Sequence, residues 1–345
     1  MRDTEISNES IVAILLCSHV LALKSDDSGV SPLSPGEWHK LKDAIPLEKF
    51  PGLLDLSPDD LVSAFGISVE LSNRISSLLK RGGNLALELD RFFQKGIWVL
   101  TEFDEDYPFR FREKLQHKAP PVIFGAGDRS LLNEGGVAIV GSRDVDDSGR
   151  IFTENLAVLC AREKKNVISG AARGVDRIAM SFALQAGGKV VGVLADSLES
   201  FLAGSQIRDS ILEGNLTAIT NLHPSVGFSV ANAMARNKLI YALADNAVVV
   251  SSALKTGGTW HGATEALNHR YTRVFVRQAE NTPDGNTALI DKGAIAIPYD
   301  PDLNIVEFIE DESNRVTDQI KSETPPEKQT SSKPTKSSEQ LLFDV

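Results

Sequence analysis

Cysteine is scarce in this chain: Cys17 and Cys160 are its only two, and both sit in apolar runs. Two distant thiols make neither a disulfide framework nor a zinc cluster, so a small disulfide-stapled scaffold is excluded. They read as buried thiols in a reducing compartment. The six histidines are scattered, with no pair at metal-ligand spacing on one helix, so neither a metal nor a cofactor is expected. Long hydrophobic runs are missing as well. The stretch from Ile11 to Leu23 is too short to span a bilayer. Asp3, Glu5 and Glu9 precede it where a secretion signal carries basic residues. A buried helix in a cytoplasmic protein, away from any membrane, is the expectation. Positive charge is in deficit too, with 36 Lys and Arg against 47 Asp and Glu and a formal net charge of −11. Such a chain does not coat duplex DNA with a broadly basic surface, because phosphate affinity comes largely from cations that displace counterions. A local basic groove stays open, since whole-chain charge says little about one site. Aromatic residues make up only 6%. Any nucleic-acid contact should therefore rest on backbone phosphates more than on base stacking.

What is present is ample for folding. With 345 residues, 42% of them hydrophobic, the chain has room for two domains and a tail. Residues 1–90 read as a small all-α domain of helix-hairpin type. Ser57-Pro58-Asp59-Asp60 offers an N-cap, a proline at the first helical position and acids in the first turn, and Gly66 is placed to stop that helix. Ser68 opens a second helix through Leu79, closed by Gly82-Gly83, and packing is the favoured role of this hairpin. From Gly96 onward short β-rich runs alternate with helical ones. Strands are expected at Ile97–Thr101, Val137–Val140, Val167–Ser169, Lys189–Leu194, Leu216–Thr220, Ala247–Ser251 and Arg273–Val276. Helices are expected at Phe152–Lys164, Asp176–Gln185, Val230–Ala244 and Thr259–His269. Continuous apolar strands alternating with helices predict a doubly wound, mostly parallel α/β sheet over residues 91–305. From 306 to 345, and most clearly beyond Asp311, the composition turns to Ser, Thr, Lys, Glu and Pro, so a disordered tail is expected.

Four segments carry the chemistry. Val140-Gly141-Ser142-Arg143 follows a strand and leads into a helix, which suits phosphate: close backbone approach, a hydroxyl and a charged fork. It is not G-x-G-x-x-G, so the dinucleotide fingerprint is not met. Ser169-Gly170-Ala171-Ala172-Arg173-Gly174-Val175-Asp176 again joins a strand to a helix. Loops at the carboxyl ends of strands in an open sheet line one crevice, so Arg143 and Arg173 should face it together. Asp176 is either a helix cap, the stronger reading, or a ligand contact. The third segment, Arg236-Asn237-Lys238, lies within a helical run. The fourth, Lys255-Thr256-Gly257-Gly258-Thr259, turns into a helix that carries Glu265. Glu265 is either a surface or capping acid, or else a general base or a ribose contact. Trp260 and Phe228 are the aromatic residues nearby, and each reads first as core.

Taken together, these segments resemble the DprA/Smf family of DNA-processing proteins. Tyr107-Pro108, Pro120-Pro121-Val122-Ile123-Phe124-Gly125-Ala126-Gly127, Val137 to Arg143, the Ser-Gly-Ala-Ala-Arg-Gly-Val-Asp loop, Ala183-Leu184 with Gly187-Gly188, Arg236-Asn237 and the Gly-Gly-Thr turn follow the family's order over roughly residues 97–280. The resemblance implies a Rossmann-like core, single-stranded DNA binding without catalysis, a homodimer, and hand-over of DNA to a RecA-type recombinase in natural transformation. Arg143, Arg173 and Arg236 fall where the family places basic residues in its DNA pocket, and with Gly141, Ser142, Ser169, Gly170, Gly174, Asn237, Gly257, Gly258 and Thr259 of the same segments they make up the expected phosphate site. Lys238 and Lys255 are added on charge alone. The chain departs from the family pattern at several points: Met180 for a histidine, Ala171 for a glycine, Lys238 for an arginine, and no recognisable winged helix after the core.

Two other readings stay open. The core is also similar to nucleotide phosphoribohydrolases, which use an arginine and a glutamate beside a glycine-rich turn, so the pocket is alternatively a nucleotide sensor or hydrolase with Glu265 as its acid. The tail segment Gln340-Leu341-Leu342-Phe343 is similar to sliding-clamp-binding peptides, with Leu342 and Phe343 as the anchors, although it is one residue short.

Overall fold

The computed structural model describes residues 6–20, 30–298, 300 and 303–323, with side chains as far as Arg315. Five helices open the chain: α1 (Asn8–Cys17), α2 (Pro35–Ala44), α3 (Pro58–Phe65), α4 (Val69–Leu79) and α5 (Leu85–Gln94). Their boundaries follow local chemistry. Ser57 caps α3 by accepting from the Asp60 amide while Asp60 bonds back, Pro58 opens the helix, and Gly66 ends it at φ +65°. Ser68 caps α4 by accepting from the Leu71 amide, without a reciprocal bond. Residues 21–23, the end of the expected first helix, lie outside the described residues.

The α/β part alternates β1 (Trp98–Thr101), α6 (Phe109–Leu115), β2 (Val122–Ala126), α7 (Leu131–Glu134), β3 (Val137–Val140), α8 (Asp147–Arg162), β4 (Val167–Ser169) and α9 (Val175–Gln185). It continues through β5 (Val190–Val193), α10 (Leu198–Leu202), α11 (Ser205–Leu212), β6 (Leu216–Thr220), α12 (Val230–Leu243), β7 (Asn246–Val249) and α13 (Gly257–His269). It closes with β8 (Arg273–Arg277), α14 (Asp284–Asp291), β9 (Ile295–Ile297) and α15 (Ile305–Glu323). One nine-stranded sheet results, in the order β1-β2-β6-β5-β4-β3-β7-β8-β9. The seven strands from β6 to β9 are parallel, and β1 and β2 extend one edge in antiparallel pairing. The doubly wound, mostly parallel architecture is thus present. Its winding reverses between β3 and β7, the point where an open α/β sheet leaves a crevice at its carboxyl edge.

Buried residues of α6, α12, α13 and α14 cover one face of the sheet, and those of α8, α9 and α15 cover the other. The amino-terminal helices do not form a core of their own. Val12, Leu15, Trp38, Phe50, Leu61, Ile75 and Phe92 pack in one cluster with Val122 and Phe124 of β2 and Ala218 of β6. The Ser10 and Thr101 hydroxyls bond at 2.7 Å in that buried seam, and Glu102 accepts from Trp38 Nε1 and Lys42 Nζ. The division near residue 90 is therefore a change of secondary structure within a shared core.

The carboxyl boundary also moves. Composition placed the end of the fold at 305, but α15 runs from Ile305 to Glu323. Val306 and Ile309 are buried on it, and Ser313 Oγ reaches Asn246 Oδ1 at 2.7 Å. The spacing 305, 306, 309, 313 puts these residues on one helical face, a periodicity that averaged composition hides. Residues 324–345, including Leu342 and Phe343, lie outside the described residues. Among the described residues no helix is long and apolar enough to cross a membrane.

Candidate functional site

A cavity of about 340 Å³ opens at the reversal point. Its walls come from the loop after β3, the start of α9, one face of α12, and the loop from β7 into α13. The volume lies at the low end for small-ligand sites.

The loops after β3 and β4 are locked together. Gly174 has φ +85°, and a Cβ there would lie 2.3 Å from Ser142 O, so only glycine lets the second loop touch the first. Val175 N then donates to Ser142 O at 3.2 Å. Ser142 Oγ stays within its own loop, donating to Asp144 O and accepting from Asp144 N, both at 3.1 Å. Arg143 is exposed and its guanidinium lies 4.8 Å from the ring centroid of Phe228. Phe228 is not core, as its place in the sequence suggested, but 49% exposed at the cavity wall. An exposed guanidinium–aromatic pair at the mouth offers a charge for phosphate and a flat face for a base. Arg173 is exposed on the rim, outside the cavity wall, and is paired with Asp144 at 2.7 Å.

Deeper in, the sequence expectations need revision. Arg236 is only 4% exposed. Its Nη1 donates to Gly170 O at 2.7 Å and to Val193 O, so it ties the β4 loop to β5 and does not reach outward as a surface phosphate ligand. Burial works against its charge, and Asp176 and Asp196 work for it. Asp176 is buried and does not cap α9, whose N-cap Gly174 has no side-chain cap. The Asp176 carboxylate faces Arg236 and the backbone amides of Ala172, Gly170 and Gly141, yet burial dominates and raises its pKa to about 6. Amides that would otherwise be free for a phosphate are thus engaged by an internal anion. Gly170 sits between the two charges: a Cβ there would lie 2.3 Å from Arg236 Nη1 and 2.6 Å from Asp176 Oδ2. Ser169 is fully buried and its hydroxyl donates to Ile139 O at 2.7 Å, so it is a strand-to-strand tie and not a ligand contact.

Asn237 stays in the wall and donates through Nδ2 to Gly258 O at 3.0 Å, which fixes the first turn of α13. That turn presents Gly257, Gly258 and Thr259 to the cavity. Its N-cap residue Thr256 makes no side-chain cap bond, and no acid lies in the first turn, so the helix end is left positive. Lys255 is exposed beside it at φ +55°, outside the wall. Lys238 and Glu265 are not brought to the cavity. Burial lowers the Lys238 pKa against the pull of Glu265, and Glu265 Oε1 accepts from Tyr271 OH at 3.3 Å. Trp260 is core, 6% exposed.

Tyr241 was not anticipated. It lines the cavity, and neither its hydroxyl nor Arg236 Nε has a hydrogen-bond partner. A signal for it existed. Val230, Ala233, Met234, Asn237, Ile240 and Tyr241 all line the cavity at helical spacing, so the face of α12 that carries Asn237 also carries Tyr241.

Comparison with known proteins matches residues 98–309 to the family model described as DNA recombination-mediator protein A. The DNA processing protein DprA of Bacillus subtilis is 25% identical over 231 residues, covering 65% of this chain and 74% of that protein. DprA of Streptococcus pneumoniae is 29% identical over 186 residues, covering 50% and 64%. Among solved structures, DprA from Streptococcus pneumoniae aligns with a TM-score of 0.63 at 21% identity over 85% of this chain and 95% of that one. DNA processing protein A from Helicobacter pylori aligns with a TM-score of 0.50 at 24% identity over 65% and 96%. These likenesses confirm the fold.

Proposed function

Because the chain belongs to the DNA recombination-mediator protein A family, we propose that its cleft binds single-stranded DNA and performs no reaction on it. The observation that carries this reading is the exposed Arg143 guanidinium over the exposed Phe228 ring at the mouth of the cavity. Paired bases hide their faces in the duplex stack, so an exposed aromatic beside a cation favours unpaired strands. The uncapped first turn of α13 supplies a second anion-attracting wall. Arg173 and Lys255 add charge at the rim. A single-stranded DNA binding mode is described for the Helicobacter pylori protein. The family's descriptive name fits a role in recombination, with a homodimer and a RecA-type recombinase as partners to be tested by pull-down.

Two features support binding over hydrolysis. Glu265, the acid a nucleotide hydrolase would need, faces Tyr271 and Lys238 and not the cavity. Asp176, the carboxylate of the wall, is held by its own backbone and Arg236. The test is fluorescence polarisation with a labelled single strand and the matching duplex, on the parent chain and on the Arg143→Ala/Arg173→Ala variant. Salt-sensitive binding that prefers the single strand and weakens in the variant is expected. No binding at low salt, or release of base from nucleoside monophosphates, refutes the proposal.

A further inference from the structure

Arg143 sits on a short loop that leaves β3 at Val140 and enters α8 at its N-cap, Asp146. Both ends of that loop are tied down. At the first, Val250 N, just past β7, donates to Val140 O at 3.0 Å. At the second stands Arg277, the last residue of β8, whose side chain reaches past the intervening β7. Its guanidinium donates through Nε to Val250 O at 3.0 Å, through Nη1 to Ser148 Oγ at 3.0 Å and through Nη2 to Asp146 Oδ1 at 3.4 Å. The same Asp146 oxygen caps α8 by accepting from Gly149 N at 2.9 Å. Behind Arg277 lies Asn286 of α14, fully buried. Asn286 Nδ2 donates to Val250 O at 3.0 Å and to Arg277 O at 2.8 Å, and its Oδ1 accepts from Ser252 N at 2.8 Å. Ser252 opens the other loop of the cleft, from β7 into α13. The seat is close: a Cβ on Gly285 would lie 2.2 Å from Ser252 O.

Arg277 is 3% exposed, and neither it nor Asn286 lines the cavity. A buried arginine is costly unless its charge and its donors are matched. Here the matching groups belong to the two loops that flank the winding reversal. We propose that Arg277 is a positioning residue for the strand: braced by Asn286, it fixes the loop after β3 against the end of β7 and so sets where Arg143 meets the DNA backbone. This role rests on the single-stranded DNA reading of the cleft. A loop held in place before the strand arrives leaves less ordering for binding to offset.

The experiment disconnects the clamp at its exposed end, where Asp146 and Ser148 lie on the surface. Asp146→Ser/Ser148→Ala takes away the carboxylate and the hydroxyl that the guanidinium holds, while a serine still caps α8. The variant loses one negative charge and no cation, so charge alone would make single-strand binding tighter. Positioning makes it weaker, by about tenfold in polarisation titration, the scale of one hydrogen bond to a charged group. The log–log salt slope should become shallower by about 0.7, the share of one phosphate contact. In an Arg143→Ala background the same two substitutions should change affinity little, because the clamp acts through Arg143. Hydrogen exchange of the unbound variant should quicken in peptides covering 141–146 while the amino-terminal helices keep the parent's rates, which separates a loosened loop from a loosened fold. Unchanged or tighter binding, or a loss of equal size with and without Arg143, overturns the positioning role and leaves single-strand binding standing. If the parent binds no strand at low salt, the single-strand reading fails and exchange decides the clamp: quickened rates over 141–146 keep it, and parent-like rates refute it.

Discussion

Replacing Arg236 with methionine separates a structural arginine from a DNA ligand. The guanidinium donates to Gly170 O and Val193 O and faces the buried Asp176 carboxylate. Removing it strands two carbonyls and one carboxylate in a place water does not reach. Breaking a buried charge pair by deleting one partner costs about 3–5 kcal/mol. The loss should also depend on pH, with a sign set by Asp176. Burial lifts its pKa from 3.8 to about 6. A raised acid favours the native state most below its unfolded pKa. That contribution is lost as pH rises through about 6 and amounts to about 3 kcal/mol in the parent. Without Arg236 the carboxylate has less to hold its charge, so its pKa rises further and the defect of the variant grows between pH 5 and pH 8. Urea unfolding followed by circular dichroism at both pH values measures this. Arg236→Met/Asp176→Asn should be less damaged at pH 8 than Arg236→Met alone. If Arg236→Met unfolds with the parent's midpoint at pH 8 yet no longer binds DNA, Arg236 is a direct ligand and the structural reasoning fails.

Other expectations follow from single contacts. Phe228→Ala should leave thermal stability within about 0.5 kcal/mol, the ring being exposed, and weaken single-strand binding by about 1–3 kcal/mol as a lost stacking platform; unchanged affinity would remove Phe228 from the interface. Asp144→Asn frees Arg173 from an ion pair exposed on both sides. Such a pair is worth about 0–1 kcal/mol, so polarisation titration should show affinity rising up to about fivefold, and a fall would contradict the rim role. Ala171 stands at φ +55°, a conformation that costs an L-residue roughly 1–2 kcal/mol. Ala171→Gly should raise the unfolding midpoint once the glycine's extra unfolded-state entropy is subtracted. Ile309→Ala empties a fully packed position under α15 and should cost about 2–5 kcal/mol in chemical unfolding; a negligible change would detach α15 from the fold.

The parallel strands were legible because β3, β5 and β7 are short, continuous apolar runs, and α3 and α4 because serine, proline and glycine mark their ends. The strand β2 was harder to read. Val122–Ala126 lies within a family-like segment, but its pairing with β1 and β6 is antiparallel and long-range, so no local period announces it. The short edge strand β9 gave still less signal. At the site, glycine positions were informative because Gly174 must approach Ser142 closely. Side-chain direction was not. Arg236 and Arg143 look alike in the sequence, and only packing shows that one points into the floor and the other rests on Phe228. Ser169 and Asp176 were misassigned for the same reason: a loop motif names the residues that meet, not which of them satisfy one another.

The proposed binding places the strand at the β3–β7 reversal. Hydrogen exchange measured by mass spectrometry, with and without a saturating single-stranded oligonucleotide, tests it most directly. Slowed exchange is expected, confined to peptides covering 141–146, 171–175, 228–237 and 255–260. Protection that spares all four and falls on the amino-terminal helices or α15 would contradict it.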